Sequence, residues 1–456
     1  MISFTDTIAA LATPIGRGAI GVIRLSGNDA QAVAAKVCAG LDKVRDRVIA
    51  RVSLTDSGGA AFDDALACVM RAPKSYTGQT VVEIYAHGSP AILRHTLDQL
   101  YKMGARPAEA GEFTRRALLN GKLDLMQAEA VGDLIGADTP VSARNALGHL
   151  RGAISRQAAE IWETVTAVMA HVAAEVDYPE DDIPNLSLDS IISSLDKSAK
   201  ILQKLVDSYE RGRYIKEGVS VAIAGPPNAG KSSLFNALLG YDRAIVTEIA
   251  GTTRDSLEGS VIIGGMQVIL HDTAGLRDTA DIIEAEGVRR SKEIMENAQL
   301  VLYVIDGSAT LPRSASADAF GRQATCPVAL PQNPQNLLVV NKADLLCRGD
   351  YQSHADAIHV SALTGQGLDK LTDEIKARIY IPDSDETFVT NARHAYAMGR
   401  ALEGITSARQ ALLDGIPPDV SLGELEIALD ALGELTGKRV NEAVLEQIFE
   451  KFCVGK

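Results

Sequence analysis

The run Gly225-Pro-Pro-Asn-Ala-Gly230-Lys231-Ser232 has the spacing G-x-x-x-x-G-K-[ST] of a phosphate-binding loop. Its glycines let backbone N–H groups converge on phosphate at the start of a helix. Lys231 suits the charge of the β and γ oxygens, and the Ser232 hydroxyl suits Mg²⁺. Asn228, Ala229 and Ser233 fill out the same loop. A tight apolar strand, Val219 to Ala224, runs straight into it, which is the context the chemistry needs.

Three further segments belong with that loop by order and spacing. Asp272-Thr273-Ala274-Gly275 and Asn341-Lys342-Ala343-Asp344 each close an apolar run. A carboxylate at Asp344 accepts from both N1–H and the amino group of guanine, whereas adenine offers no such donor pair, so GTP is expected over ATP. Ser361-Ala362-Leu363 follows a third apolar run and can offer backbone N–H near the guanine oxygen. Between the phosphate loop and Asp272, Thr247-Glu248-Ile249-Ala250-Gly251-Thr252-Thr253 suits a switch loop, with Thr253 as a second hydroxyl for Mg²⁺. Leu276 stands where a water-orienting glutamine would serve, so hydrolysis needs another group. Asp278, Asp281, Glu284 and Glu286 are all within reach in sequence, and spacing does not choose among them.

These groups must sit at one edge of a sheet. After Glu217-Gly218, short apolar strands alternate with helical stretches, as in a parallel sheet with crossover helices. The strands are read as Val219 to Ala224, Val268 to His271, Leu300 to Asp306, Leu337 to Val340 and Ala357 to Val360. Residues 1 to 118 mix β-rich runs (Ile20 to Leu25, Val81 to Tyr85) with helical patches at Ala30 to Ala39 and Ala91 to Leu100, an α+β pattern. From Lys122 to Tyr209 apolar residues recur at helical spacing, interrupted at Tyr178 to Pro184 by two prolines. Beyond Asp383 helix returns, with a stripe of Leu422, Leu425, Leu429, Leu432 and Leu435. The expected architecture is multidomain α/β. It comprises an N-terminal α+β domain (1–118), a helical domain in two segments (119–216 and 383–456) and an inserted P-loop domain with a mainly parallel sheet (217–382).

Composition narrows the class. In 456 residues, 45 Lys/Arg against 59 Asp/Glu give a net charge of −14, which excludes a broad cationic wrap for nucleic acid. Residues 1–118 hold 14 Lys/Arg against 11 Asp/Glu, so the acidity lies after them. Five scattered cysteines form no C-x-x-C pair and indicate neither a disulfide framework nor structural zinc. No apolar run reaches a membrane-spanning length, so a cytoplasmic protein without a membrane anchor is expected. Cys453, fourth from the end, invites a prenylation reading, but Gly455 and Lys456 fit that signal poorly.

TPIGRG (Thr13 to Gly18), GVIRLSG (Gly21 to Gly27), SYTGQ (Ser75 to Gln79), VVEIYAHG (Val81 to Gly88), GEFTRRALLNGKLDLMQAEAV (Gly111 to Val131), VTEIAGTTRD, DTAGLRD and the terminal FCVGK together resemble the MnmE (TrmE) family of tRNA modification GTPases. The resemblance spans essentially the whole chain. It implies a homodimer with an N-terminal tetrahydrofolate-binding domain, a helical middle and an inserted Ras-like GTPase domain. It also implies an FAD-dependent partner subunit (MnmG, or GidA) and a one-carbon unit from 5-formyl- or methylene-tetrahydrofolate. Together these install an aminomethyl or carboxymethylaminomethyl group on C5 of the tRNA wobble uridine.

By motif match, the resemblance places folate contacts on Arg24, Glu83, Lys122 and Lys456. It places a K⁺ ion on Asn228, Thr247, Ile249 and Thr252, and water positioning on Glu284. Cys453 falls in a modification-linked motif near the folate. Gln79, Ser89 and Ala110 depart from the usual acidic residue, glycine and proline at their positions. A regulatory GTP-binding module that recruits partners without one-carbon chemistry is the alternative reading.

Overall fold

The computed structural model describes residues 6–177, 187–241, 257–272, 293–308, 336–346, 357–379, 386–439 and 442–455. Two units emerge. One comprises Met1–Gly136, Ala146–Val206 and Arg393–Lys456, the other Ala137–Asn145 and Asp207–Ala392.

The first unit is built on a seven-stranded sheet of β1 (Ile8–Leu11), β2 (Ile20–Ser26), β3 (Cys38–Ala39), β4 (Ala50–Thr55), β5 (Ala61–Met70), β6 (Val81–His87) and β7 (Arg106–Pro107). Their spatial order is β3-β4-β5-β6-β2-β1-β7, antiparallel except for β1 with β7. Alternation decides the faces. Ile23, Leu25, Val82, Ile84, Ala65 and Ala67 join one core with residues of helices Ala30–Ala35 and Pro90–Lys102. Arg24 and Glu83, one step out of phase, lie on the opposite face as a directly paired cross-strand couple. There Ile8, Ala10, Ala108 and Phe113 form a second small core that includes helix Glu112–Leu119. The stretch Ala30 to Ala39 is not all helix. It turns after Ala35, and Cys38–Ala39 pairs with β4.

The same unit contains helices Leu125–Ile135, Ala153–Asp177, Leu188–Asp207, Ala392–Leu413, Pro418–Thr436 and Glu442–Glu450. Leu125–Ile135 starts at a reciprocal Asp124–Gln127 capping box. Pro418–Thr436 packs along Ala153–Asp177, burying Leu425, Leu429, Leu432 and Leu435. Glu129, from the first helical segment, accepts from Arg393 at 2.9 Å and touches the His394 ring of the second. Burial opposes ionisation of Glu129, but His394 and Arg393 outweigh it and pull the carboxyl down to about 2. The two helical segments are therefore joined by buried charge as well as by packing. The proline-rich break at 178–184 lies outside the described residues.

In the second unit, β8 (Val219–Ala224), β9 (Leu257–Ile263), β10 (Met266–Asp272), β11 (Leu300–Asp306), β12 (Leu337–Asn341) and β13 (Ile358–His359) stand in the order β13-β12-β11-β8-β10-β9. All neighbours are parallel except β9, which runs antiparallel to β10 at the edge. That edge strand is absent from the sequence reading. Residues 386–391 carry no helix, and the helix that follows begins at Ala392; Asp383 lies outside the described residues. Asn145 pairs with this irregular run: its amide donates to the Phe388 carbonyl at 3.1 Å and accepts from the Phe388 N–H at 2.8 Å, satisfying backbone groups that no helix bonds.

Candidate functional site

The carboxyl ends of β8, β10, β11 and β12 carry the nucleotide motifs. Gly225 adopts φ +146°, and a Cβ there would lie 2.1 Å from the Val304 carbonyl, so the loop can leave β8 only as glycine. Asn228 and Gly230 are left-handed, at φ +63° and +83°. Helix Lys231–Tyr241 begins directly after them. Lys231 is 7% exposed, and its ammonium donates to the Pro226 carbonyl at 2.9 Å, folding back over the loop.

Ser232 Oγ donates to Asp272 Oδ2 at 2.6 Å. A hydroxyl from the first turn of the helix and a carboxylate from the end of β10 meet there, a hard-oxygen donor set that fits Mg²⁺.

Asn341 is the joint of the site. Its Nδ2 donates to the Ala229 and Gly230 carbonyls at 3.1 and 3.2 Å, while its Oδ1 accepts from the N–H groups of Lys342 and Ala362 at 2.8 and 3.1 Å. One 2%-exposed amide thus uses its full donor and acceptor capacity to tie the phosphate loop to both base-reading segments. Ala343 N donates to Val360 O at 3.0 Å, and Ser361 is fully buried with its Oγ accepting from Thr364 N. Asp344 and Leu363 remain exposed beside them.

Sequence reasoning missed Asp306. Its Oδ2 accepts from Lys342 Nζ at 2.6 Å and its Oδ1 from Ser308 N and Oγ at 2.8 and 2.6 Å. Burial alone would raise its pKa; Lys342 and Ser308 reverse that and hold the carboxyl below its ordinary value. Its place opposite Asn341 in the β11–β12 register was the available signal. Thr247, Glu248, Ile249, Ala250, Gly251, Thr252, Thr253, Thr273, Ala274, Gly275 and Glu284 lie outside the described residues. Of the K⁺ set only Asn228 is described. Among the described residues there is no His/Cys/Asp/Glu cluster that would hold a metal ion.

The second candidate site is the outer face of the N-terminal sheet. Arg24 donates to Glu83 Oε1 through Nε at 2.9 Å and Nη2 at 2.8 Å, while Tyr85 OH donates to Glu83 Oε2 at 2.6 Å. The Arg24 guanidinium lies 5.9 Å from the Tyr76 ring centre and 5.8 Å from that of Phe113. A fixed carboxylate and guanidinium between two rings fit a flat heterocycle with N–H donors and an anionic tail. Burial, then the hydrogen bond to Glu83, push the Tyr85 hydroxyl well above its ordinary pKa.

Lys122 is exposed, its side chain passing Gly78 of the loop that carries Tyr76. Lys456 lies outside the described residues, but Val454 bridges to Ala110, Gly111 N donates to Cys453 O at 3.4 Å, and Gly455 approaches the Leu11 carbonyl too closely for any Cβ. The C-terminal segment therefore docks on the strand next to Arg24. Cys453 is an exposed free thiol.

Behind this face is a buried ion network that sequence reasoning also missed. Arg116, fully buried, donates to Asp6 Oδ1 at 2.7 Å, Glu112 Oε1 at 2.8 Å and Gln79 Oε1 at 3.0 Å. Arg106 clamps Glu112 from the other side at 2.6 and 2.8 Å. Burial works against the charge on Glu112 and Asp6, yet the two guanidiniums keep both carboxyls below their ordinary pKa values. The i,i+4 spacing of Glu112 and Arg116 was the visible clue. Gln79, the departure from an acidic residue, still supplies an oxygen acceptor to Arg116 and to Ser26 Oγ.

Comparison with known proteins agrees across the chain. The family described as GTP-binding protein TrmE N-terminus matches residues 7–122, and the MnmE helical domain family matches residues 125–453. The tRNA modification GTPase MnmE of Syntrophotalea carbinolica is 39% identical over 465 residues, covering 99% of this chain and 99% of that protein. The Aquifex aeolicus protein of the same name is 38% identical over 456 residues, covering 99% and 100%. That of Xanthomonas euvesicatoria is 41% identical over 469 residues, covering 100% of both. Among solved structures, the G domain of the Thermotoga FeoB iron transporter ("T. maritima") matches at 28% identity and TM-score 0.25 over 35% of this chain and 98% of that one. Over their full lengths, the shared identity with these relatives shows that the chain belongs to the tRNA modification GTPase MnmE family.

Proposed function

We propose that this chain, a GTPase by family, couples GTP hydrolysis to modification of C5 of the tRNA wobble uridine, adding an aminomethyl or carboxymethylaminomethyl group. The observation that carries the nucleotide half is the Asn341 joint, which ties phosphate loop and base loop into one rigid frame. In this reading Asn228 to Ser233 wrap the phosphates, Lys231 neutralises them, and Asp344 with Ser361 to Leu363 reads guanine. Ser232 and Thr253 are the hydroxyl ligands proposed for Mg²⁺, which when bound offsets phosphate charge. Asn228, Thr247, Ile249 and Thr252 would hold K⁺, and Glu284 would orient the attacking water.

The domains follow the same proposal: 1–118 binds folate and dimerises, 119–216 with 383–456 forms the helical domain, and 217–382 is the GTPase domain. Arg24, Glu83, Lys122 and Lys456 are assigned to the folate, with the fixed Arg24–Glu83 pair as support. The proposed assembly is a cytoplasmic homodimer working with the FAD-dependent MnmG subunit. Among the described residues no helix is long and apolar enough to cross a membrane.

Reconstitution tests the whole reading. The purified chain, the flavin subunit with FAD and NADH, 5-formyl- or methylene-tetrahydrofolate, ammonium or glycine as the nitrogen donor, GTP, Mg²⁺, K⁺ and unmodified tRNA should yield C5-modified wobble uridine by nucleoside mass spectrometry. GTP turnover without any modified nucleoside would reject the one-carbon role.

A further inference from the structure

A concentration of positive charge in the loops of the N-terminal sheet has no part in the chemistry described so far. It is a corner formed by the turns that bracket β5. Arg47, left-handed at φ +58°, donates its N–H to the Val69 carbonyl at 2.8 Å and its guanidinium to the Lys74 carbonyl. Arg71 N donates to Asp46 Oδ1 at 2.8 Å, and Asp46 bridges to Val69. The segments 43–47 and 71–74 are therefore laced together by backbone-directed bonds.

Together they present Lys43, Arg45, Arg47, Arg71 and Lys74. Four are exposed, and the fifth, Arg71, keeps 42% of its side chain in solvent. Against these five stand only Asp42 and Asp46, and the Asp46 carboxylate is already taken by Arg71 N–H, with the Arg47 and Arg71 guanidiniums 3.8 and 3.9 Å away. The corner thus carries a local excess of positive charge in a chain whose net charge is −14.

Its position bears on its use. The loop that holds Arg71 and Lys74 continues into Tyr76, whose ring faces the Arg24 guanidinium, and into Gln79, bonded to Arg116. One ordered loop joins the basic corner to the Arg24–Glu83 pair. An RNA that must bring a base to that pair has to approach a protein repelling its phosphates at long range. Local cations beside the destination offset that repulsion and release condensed counterions.

We propose that Lys43, Arg45, Arg47, Arg71 and Lys74 form a docking surface for the phosphate backbone of tRNA beside the one-carbon site. The inference rests on the tRNA reading above. Its test is binding of unmodified tRNA to the full chain by fluorescence anisotropy across about 0.05 to 0.3 M KCl, a range over which phosphate contacts respond.

The triple variant Lys43→Glu/Arg45→Glu/Lys74→Glu leaves the backbone-bonded Arg47 and Arg71 in place. It should bind tRNA at least about tenfold more weakly at about 0.1 M salt, and the slope of log K against log salt should be shallower by about 2, three lost contacts at about 0.7 to 0.9 each. The neutral triple Gln variant should fall between, and GTP turnover without tRNA should be unchanged in both.

Wild-type affinity and slope in the Glu variant would overturn the surface while leaving the tRNA reading intact. A wild-type chain that hydrolyses GTP but binds no tRNA would reject the tRNA reading and the surface with it. Loss confined to polyglutamyl folate, or to an acidic protein partner, with tRNA slope preserved, would also overturn it.

Discussion

The two candidate sites are held together by opposite means. At the carboxyl edge of the parallel sheet a single neutral amide, Asn341, joins three backbone segments, and the charged groups around it, Lys231, Asp272 and Asp344, belong to the substrate end. Behind the Arg24–Glu83 face the fastening itself is ionic: Arg106 and Arg116 against Asp6 and Glu112, in a region where Arg116 and Glu112 are 0% and 1% exposed. A neutral joint costs little desolvation and does not respond to pH. A buried ionic one is stable only while every member is present and charged.

The largest effect should come from breaking the ionic fastening on one side. Arg116→Met strips the buried Glu112 carboxylate of one of its two guanidinium partners, and its expected cost is about 3 kcal/mol of unfolding free energy. Urea unfolding followed by fluorescence of Trp162, the chain's single tryptophan and a residue of the same unit, reads it directly. GDP affinity should stay near wild type, since the second unit has its own core. Equal losses of folding stability and GDP binding would erase the distinction between the regions.

Next in size is Asn341→Ala. Each of its four bonds contributes about 1 kcal/mol, and the orphaned buried partners add to the loss, so nucleotide affinity should fall on the order of 100-fold. Stopped-flow dissociation of a fluorescent GDP analogue measures it, with the change expected in the off-rate. Trp162 unfolding should hardly move.

Acid separates the regions further. Asp6 and Glu112 have folded pKa values below their ordinary 3.8 and 4.5, so their contribution is fully present above about pH 5 and is lost as pH falls through the depressed values. Glu112→Gln should therefore be less stable than wild type at pH 7, with the gap narrowing progressively as pH falls below about 5. A gap that stayed constant with pH would mean that the carboxylate acts by shape alone.

The same contrast explains what could be read from the sequence. The phosphate loop, Asp272, Asn341 to Asp344 and Ser361 are contiguous motifs at strand ends, because their chemistry runs through local backbone. All five expected strands of that sheet agree with the observed ones to within two residues at each end. The edge strand Leu257–Ile263 went unread although Val261 and Ile263 alternate and Gly264-Gly265 supplies the turn, because as an edge strand its run, LEGSVII, is only half apolar. The ionic fastening was illegible for a deeper reason. Asp6, Gln79, Arg106, Glu112 and Arg116 are spread over about a hundred residues and meet only after β1, β7 and the helix at Glu112–Leu119 have packed. The resemblance to a family located Arg24 and Glu83, but nothing in spacing would have paired them across β2 and β6.

The smallest expected effect probes whether the nucleotide site is as free of ionic fastening as Asn341 suggests. Asp306 holds the Lys342 ammonium at 2.6 Å while Lys342 itself sits left-handed at φ +61° beside the base-reading loop. Both groups are partly solvated, at 22% and 35% side-chain exposure, so the pair should contribute no more than about 1 kcal/mol. Asp306→Asn keeps the Ser308 contacts in shape and removes the charge. A loss of about threefold to fivefold in GTP affinity, with saturated turnover unchanged, is expected from steady-state hydrolysis at about 0.1 M KCl, and the difference should shrink as ionic strength is raised at constant KCl. A loss as large as that of Asn341→Ala would show that the nucleotide region also depends on a charged clasp, and the contrast between the two ends of this chain would then be one of burial rather than of chemistry.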